Sequence, residues 1–104
     1  MPFPPAKDHK ISLQAAAALT RRYREHPGAG KERAGMFPRE AYDALLKQEG
    51  CRGIRIYYGR ADGGGMNLVM VGVDADGNDM TSGEIMEESY PCPPICGTNS
   101  PLNA

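Results

Sequence analysis

The sequence predicts a small α+β fold: two N-terminal helices packed on one face of a small antiparallel sheet, with an extended Pro/Cys tail against it. Three observations predict this. Met66-Asn-Leu-Val-Met-Val-Gly-Val73 is the only continuous apolar run in the 104 residues. Ile54-Arg-Ile-Tyr-Tyr58, just before it, alternates in the manner of a strand with one dry face. Gly59 to Gly65 joins the two, so together they read as a hairpin over 54–73, whereas helical spacing of apolar residues is found only upstream, within residues 11–50. At this length the chain forms one domain with a single modest core. Its parts are an arm over 1–10, a helical part over 11–50, a hairpin and sheet part over 51–90 and a tail over 91–104.

In chain order, the Pro-rich and charged residues 1–10 form an extended arm. Ser12 is a suitable N-cap, and Leu13-Gln-Ala-Ala-Ala-Ala-Leu19 has high helix propensity. The first helix is therefore expected at about residues 12–25, stopped by His26-Pro27-Gly28. Its apolar face would be Leu13, Ala16, Ala17, Thr20 and Tyr23, and Arg21, Arg22 and Arg24 place cations in its last turns, where the helix dipole favours them. Residues 27–37 read as a loop. Gly30-Lys31 invites a phosphate-loop reading, but that pattern needs Gly at position 25 and Ser or Thr at 32, and both are Glu. Pro38 opens the second helix, whose apolar face is Ala41, Tyr42, Leu45 and Leu46 and whose stop is Gly50.

The two faces of the Met66–Val73 strand are Leu68/Met70/Gly72 and Val69/Val71/Val73, and both are apolar. A strand dry on both sides needs a cover on both sides. The expected core is Leu45, Ile54, Ile56, Leu68, Val69, Met70 and Val71. After the hairpin, Asp74-Ala-Asp-Gly-Asn-Asp79 has the alternating acids of a calcium loop. It lacks Gly at the sixth place, where Asp79 stands, and Glu at the twelfth, which is Ile85, so a tight turn is the better reading. Thr81-Ser-Gly-Glu84 matches a capping box, and the segment 84–89 reads as a short helix or as a third strand beside Met66–Val73. Tyr90-Pro-Cys-Pro-Pro-Ile-Cys-Gly97 is expected to be irregular, because its prolines remove backbone donors.

The chemistry-bearing residues are few. Cys92 and Cys96 are spaced C-x3-C, with Cys51 at a distance; the three thiolates, with His9 or His26, are a candidate zinc site. The same pair could instead form a disulfide, and the bland alternative is that all three are small buried hydrophobes. No nucleophile–base–acid order appears, so the chain reads as a non-enzyme more than as an enzyme; Cys51 beside a histidine is the only candidate nucleophile. The net charge of −1 hides a split: residues 1–60 hold all 12 Lys and Arg and carry +6, whereas residues 61–104 carry −7. Halves of opposite sign suit contact between copies. The basic residues are spread over several elements, which disfavours nucleic acid. No run approaches the roughly 20 apolar residues of a membrane span, and Met-Pro-Phe-Pro-Pro lacks the apolar core of a secretory signal, so a cytoplasmic location is expected.

Residues Tyr42 to Tyr57, the turn Gly72-Val-Asp-Ala-Asp-Gly-Asn-Asp-Met80 and the tail Cys92-Pro-Pro-Ile-Cys-Gly97 together resemble a group of short bacterial proteins to which no activity is attached. The likeness covers most of residues 38–104. It implies one folding unit that includes Cys51 and the tail cysteines, and it transfers no functional residue. The function expected from the sequence is a non-enzymatic structural or self-assembling protein, a homo-oligomer or filament subunit; the alternative is a small metal- or thiol-bearing accessory protein using Cys51, Cys92 and Cys96.

Overall fold

The structure is a computed structural model and describes residues 2–104. Its elements are α1 (Leu13–Glu25), β1 (Ala34–Met36), α2 (Arg39–Leu46), β2 (Gly53–Arg60), β3 (Met66–Val73), β4 (Ile85–Met86), β5 (Tyr90–Cys92) and a closing 3-10 turn, Pro101–Asn103. The class is α+β, with a three-stranded antiparallel sheet in the order β2-β3-β4 and a separate two-stranded ladder of β1 and β5. The hairpin lies where expected, but its first strand is longer than the Ile54–Tyr58 run: pairing extends from Gly53↔Val73 to Arg60↔Met66, and the connection is shorter than Gly59–Gly65. Its turn is closed by the Ala61 N–H to Gly65 C=O bond of 2.8 Å, with Gly64 at φ +93°. Segment 84–89 contains a strand and no helix: β4 adds to β3 through Met70↔Met86 and Val71↔Ile85.

One helix, not two, covers the sheet. Helix α2 lays Leu45 into the core with Phe37 and Met70, and Ala41, Tyr42, Ile54, Leu68 and Met86 pack around them. Phe37 and Tyr42 meet edge to face, with ring centroids 6.3 Å apart and planes at 84°, a favoured aromatic geometry. Helix α1 starts where Ser12 predicts, the hydroxyl accepting the Ala15 N–H at 3.0 Å. It has no buried residue and packs against the C-terminal 3-10 turn instead of the sheet. Arg24 donates to the Leu102 carbonyl at 2.9 Å, while Ala16, Ala17 and Thr20 are half-buried and Leu13 and Tyr23 are exposed. The expectation of two N-terminal helices on one sheet face is thus corrected for α1. An Ala-rich stripe has too little side-chain volume to bury much apolar area, so the 3-10 turn suffices as its partner.

The second face of β3 is covered by two short segments. Val71 and Val73 are buried there. At one end the arm lies across the sheet: the Phe3 N–H donates to the Ala75 carbonyl at 3.0 Å. A Cβ on Gly53 would come within 2.9 Å of the Phe3 ring, so the absent side chain is what admits the ring. Arg52 lies 5.8 Å from the centroid of the same ring. The other cover is the turn after β3. Asp74 Oδ1 accepts from the Asp76 and Asn78 N–H groups, Gly77 takes φ +82°, and the chain returns to form the Val73↔Asp79 bridge. This is the tight turn expected, an Asx-type turn made by Asp74.

The tail was expected to be irregular, yet Tyr90–Cys92 is a strand. Pro91 stands opposite Gly35 in the β1–β5 ladder, and both members of a two-stranded ladder are edges, where Pro is tolerated. The same pairing makes β1 a strand inside what read as a loop. The ladder approaches the main sheet at Gly35, where a Cβ would lie 2.8 Å from Leu68 Cδ1 and 2.5 Å from Ser89 Oγ.

Candidate functional site

The residues singled out as a metal set are not brought together. Cys92 and Cys96 form a disulfide, and Cys51 is free and half-buried, its thiol donating to the Gly53 carbonyl at 3.3 Å. Among the described residues no three His, Cys, Asp or Glu side chains gather as a metal ion would need. Cys51 instead lies beneath β3: a Cβ on Gly72 would sit 3.1 Å from its sulfur, 2.9 Å from Gln48 Nε2 and 3.3 Å from Met80 Sδ. Buried Cys92 accepts a long N–H···S contact of 3.4 Å from Asn103, and Asn103 in turn accepts from Arg33 at 3.1 Å. The disulfide end of the tail is thereby joined to the loop before β1 and to the 3-10 turn against α1.

The polar cluster best defined by contacts is Arg55, Tyr57 and Asp79. Arg55 and Tyr57 alternate along one face of β2, and the Asp74–Asp79 turn delivers the carboxylate between them. The Tyr57 hydroxyl donates to Asp79 Oδ2 and Arg55 Nη1 to Oδ1, while Arg55 Nη2 also reaches the Gly77 carbonyl at 3.3 Å. The hydrogen bond from Tyr57, helped by Arg55, holds the Asp79 carboxyl below the usual carboxylate range. Its bond to Asp79 raises the Tyr57 phenol above its ordinary value, and Arg55's own bond to Asp79 raises the guanidinium. All three groups satisfy one another on an open face. The arrangement is a clip that holds the turn to the sheet.

What remains unsatisfied is an edge. The Ala61 N–H to Gly65 C=O bond sets the phase of the β2–β3 ladder. The far side of β3 agrees, since the Gly72 carbonyl and the Asp74 N–H turn away from β2 to Met80 and Asn78. In an antiparallel pair the direction of the backbone groups alternates. Gly53, Arg55, Tyr57 and Gly59 therefore spend theirs on β3, and Ile54, Ile56, Tyr58 and Arg60 point theirs outward. None of these outward groups finds a partner elsewhere among the described residues.

Between Arg55 and Arg60, this edge exposes large apolar side chains as well. Ile56, Tyr57 and Tyr58 are 49%, 46% and 89% exposed. Ile56 was expected in the core, and the structure corrects that: it stands opposite Met70, but on the outer strand, where it is half exposed and lies outside the cluster that α2 forms with Ile54. Ile54, Leu68 and Val69 are half-buried, and Leu45, Met70 and Val71 are buried. Beside Tyr58, a groove of about 610 Å³ runs between the hairpin and α1, lined by Tyr23, Arg33, Gly35, Met66 and Leu68. The signal that would have found this edge was already in the sequence, in the contrast between a strand apolar on both faces and its neighbour with adjacent tyrosines. No helix among the described residues is long and apolar enough to cross a membrane. No family model matches the chain, and no curated protein and no solved structure matches it either.

Proposed function

We propose that the chain is a non-enzymatic structural protein that assembles with copies of itself. The observation that carries this reading is the outer edge of β2, with unpaired backbone groups running beside Ile56, Tyr57 and Tyr58. Edges of this kind are usually shortened, charged or covered in proteins that stay single. The +6 and −7 halves of the chain support self-association separately, through a head-to-tail contact that sets the basic half of one copy against the acidic half of the next. Light scattering on a sizing column tests it at 0.1 M and 1 M salt, between which the Debye length falls from about 10 Å to about 3 Å. An assembly built on the apolar edge keeps its mass at both, and one built on charge shrinks at the higher. A monomer at both salts and at high protein concentration defeats the reading.

The disulfide favours a second reading, a thiol-bearing accessory protein in which Cys92 and Cys96 exchange with a dithiol partner. Disulfides persist in oxidising surroundings and are reduced in the cytosol, so in a cytoplasmic location both residues stand as thiols, in addition to the distant Cys51. Alkylation of the native, purified chain counts one free thiol or three. Full and rapid reduction by glutathione without unfolding supports this second reading. Loss of fold on reduction makes the bond structural.

A further inference from the structure

Resting on the reading of a self-assembling chain, we propose that the partner of β2 is β2 of a second copy. The two join edge to edge about a twofold axis through Tyr57, making one continuous antiparallel sheet with three strands from each copy. Backbone phase, side-chain fit and charge select this pairing and its register.

The first is backbone phase. Two antiparallel edges bond through residues whose groups point outward, so Ile54, Ile56, Tyr58 and Arg60 must stand opposite one another. A twofold centre at Tyr57 sets Ile56 opposite Tyr58 of the second copy and Ile54 opposite Arg60, and it engages every outward-pointing residue of the strand. A centre one residue earlier or later leaves part of the strand unpaired.

The second is side-chain fit. On one face of the joined sheet Ile56 meets the second copy's Tyr58, and the same contact recurs by symmetry. On the other face Tyr57 meets Tyr57. Aromatic–β-branched and aromatic–aromatic pairs are the favourable cross-strand combinations. Ile56, Tyr57 and Tyr58, the large apolar side chains exposed along β2, are all covered together.

The third is charge. Strand β2 contains Arg55 and Arg60 and no acid, so self-pairing must keep like charges apart. Arg55 is already neutralised by Asp79 of its own copy and would face Gly59. Continuing the same register beyond the strand ends puts Arg52 opposite Asp62 of the second copy, an unlike pair at each end. With the centre at Ile56, Arg52 would instead oppose Arg60.

Hydrogen exchange on the unaltered protein tests the surface. At a concentration where light scattering shows a dimer, the Ile56 and Tyr58 amides should exchange slowly, and dilution to monomer should speed them at least tenfold. The Tyr57 and Gly59 amides, bonded within the copy, should change far less. Oxidative cross-linking tests the register in a Cys51→Ser background. Tyr57→Cys faces itself at a non-hydrogen-bonded position and should give a covalent dimer. Ile56→Cys is two residues out of step with its own copy, about 7 Å along the strand, and should not. A dimer whose Ile56 and Tyr58 amides exchange freely, or one that cross-links at 56 and not at 57, overturns the pairing and leaves self-assembly standing. A monomer at all concentrations overturns both.

Discussion

Strands β2 and β3 are the same length, are paired along their whole extent and are both rich in apolar residues, yet they occupy opposite environments. The second half of β3, Met70 to Val73, is buried on both faces, whereas β2 is exposed from Arg55 to Tyr58. Position in the sheet decides this more than composition does. β3 has neighbours on both sides, α2 and Phe37 above it, and Phe3 with the Asp79 turn below. β2 has a neighbour on one side only, and α2 is eight residues long, about 12 Å at 1.5 Å per residue, too short to roof both strands. A chain this small covers its central strand fully and leaves the outer one to other contacts.

The contrast is broken most severely at Leu45, the fully buried side chain that α2 packs against Met70. Leu45→Ala should cost about 2–5 kcal/mol, the range for a truncated core leucine whose site cannot collapse, read as a shift of the urea midpoint. A loss below about half a kcal/mol would falsify the placement of α2 as the roof. Next in size is Gly35, where the small ladder closes on the sheet. Gly35→Ala puts a methyl within 2.8 Å of Leu68 and 2.9 Å of Ser89 Cβ. Overpacking of that kind costs about 1–3 kcal/mol, and a substitution without measurable effect in urea would mean that β1 and β5 do not rest on Leu68.

The Arg55–Asp79–Tyr57 clip sharpens the comparison through pH. Asp79 has a folded-state pKa below its unfolded value of about 3.9. Its contribution is therefore present above about pH 4 and lost as pH falls through the lower folded value. Tyr57 is shifted the other way: its contribution is present below about pH 10 and lost as pH rises through the raised folded value. Asp79→Asn should thus be less stable than the parent at pH 7, with the gap closing in acid. Denaturant titrations at pH 7 and pH 3 check this, and a gap that widens in acid contradicts the clip.

Much of the fold was legible because its signals are local. Ser12 as a cap, Leu45 at helical spacing and the uninterrupted Met66–Val73 run each state their role within a few residues. The parts that were not legible depend on partners far away in sequence. Nothing around Ala34–Met36 announces a strand, because what makes it one is the backbone of Tyr90–Cys92, and Pro91 argues against that partner when read alone. Helix α1 carries an amphipathic pattern that fits a sheet as well as it fits a 3-10 turn. For Ile56, alternation gave its strand one dry face, and the structure sets the residue opposite Met70, but period-two spacing cannot say how far the helix above extends. The cysteines show the same limit: C-x3-C spacing allowed a disulfide or a metal, and only the fold of the tail separates Cys51 from the pair.

The smallest expected effect lies at Tyr58, and its smallness is the informative part. Tyr58 stands on the Ile56 face of β2 and is almost fully exposed, with its outward backbone groups unpaired. Replacing it with Lys removes little buried area from a single copy. At concentrations where copies are separate, Tyr58→Lys should change the unfolding free energy by less than about 0.5 kcal/mol, as surface substitutions do, against several for Leu45→Ala in α2. Where copies meet, the same change sets an ammonium beside Ile56 of the other copy, a charge of the kind that natural edge strands use to refuse a neighbour. The expected outcome is a protein of unchanged monomer stability that no longer self-associates on a sizing column. A loss above about 2 kcal/mol at low concentration would show that Tyr58 belongs to the core of the single copy, and the distinction between a covered strand and an open one would fall with it.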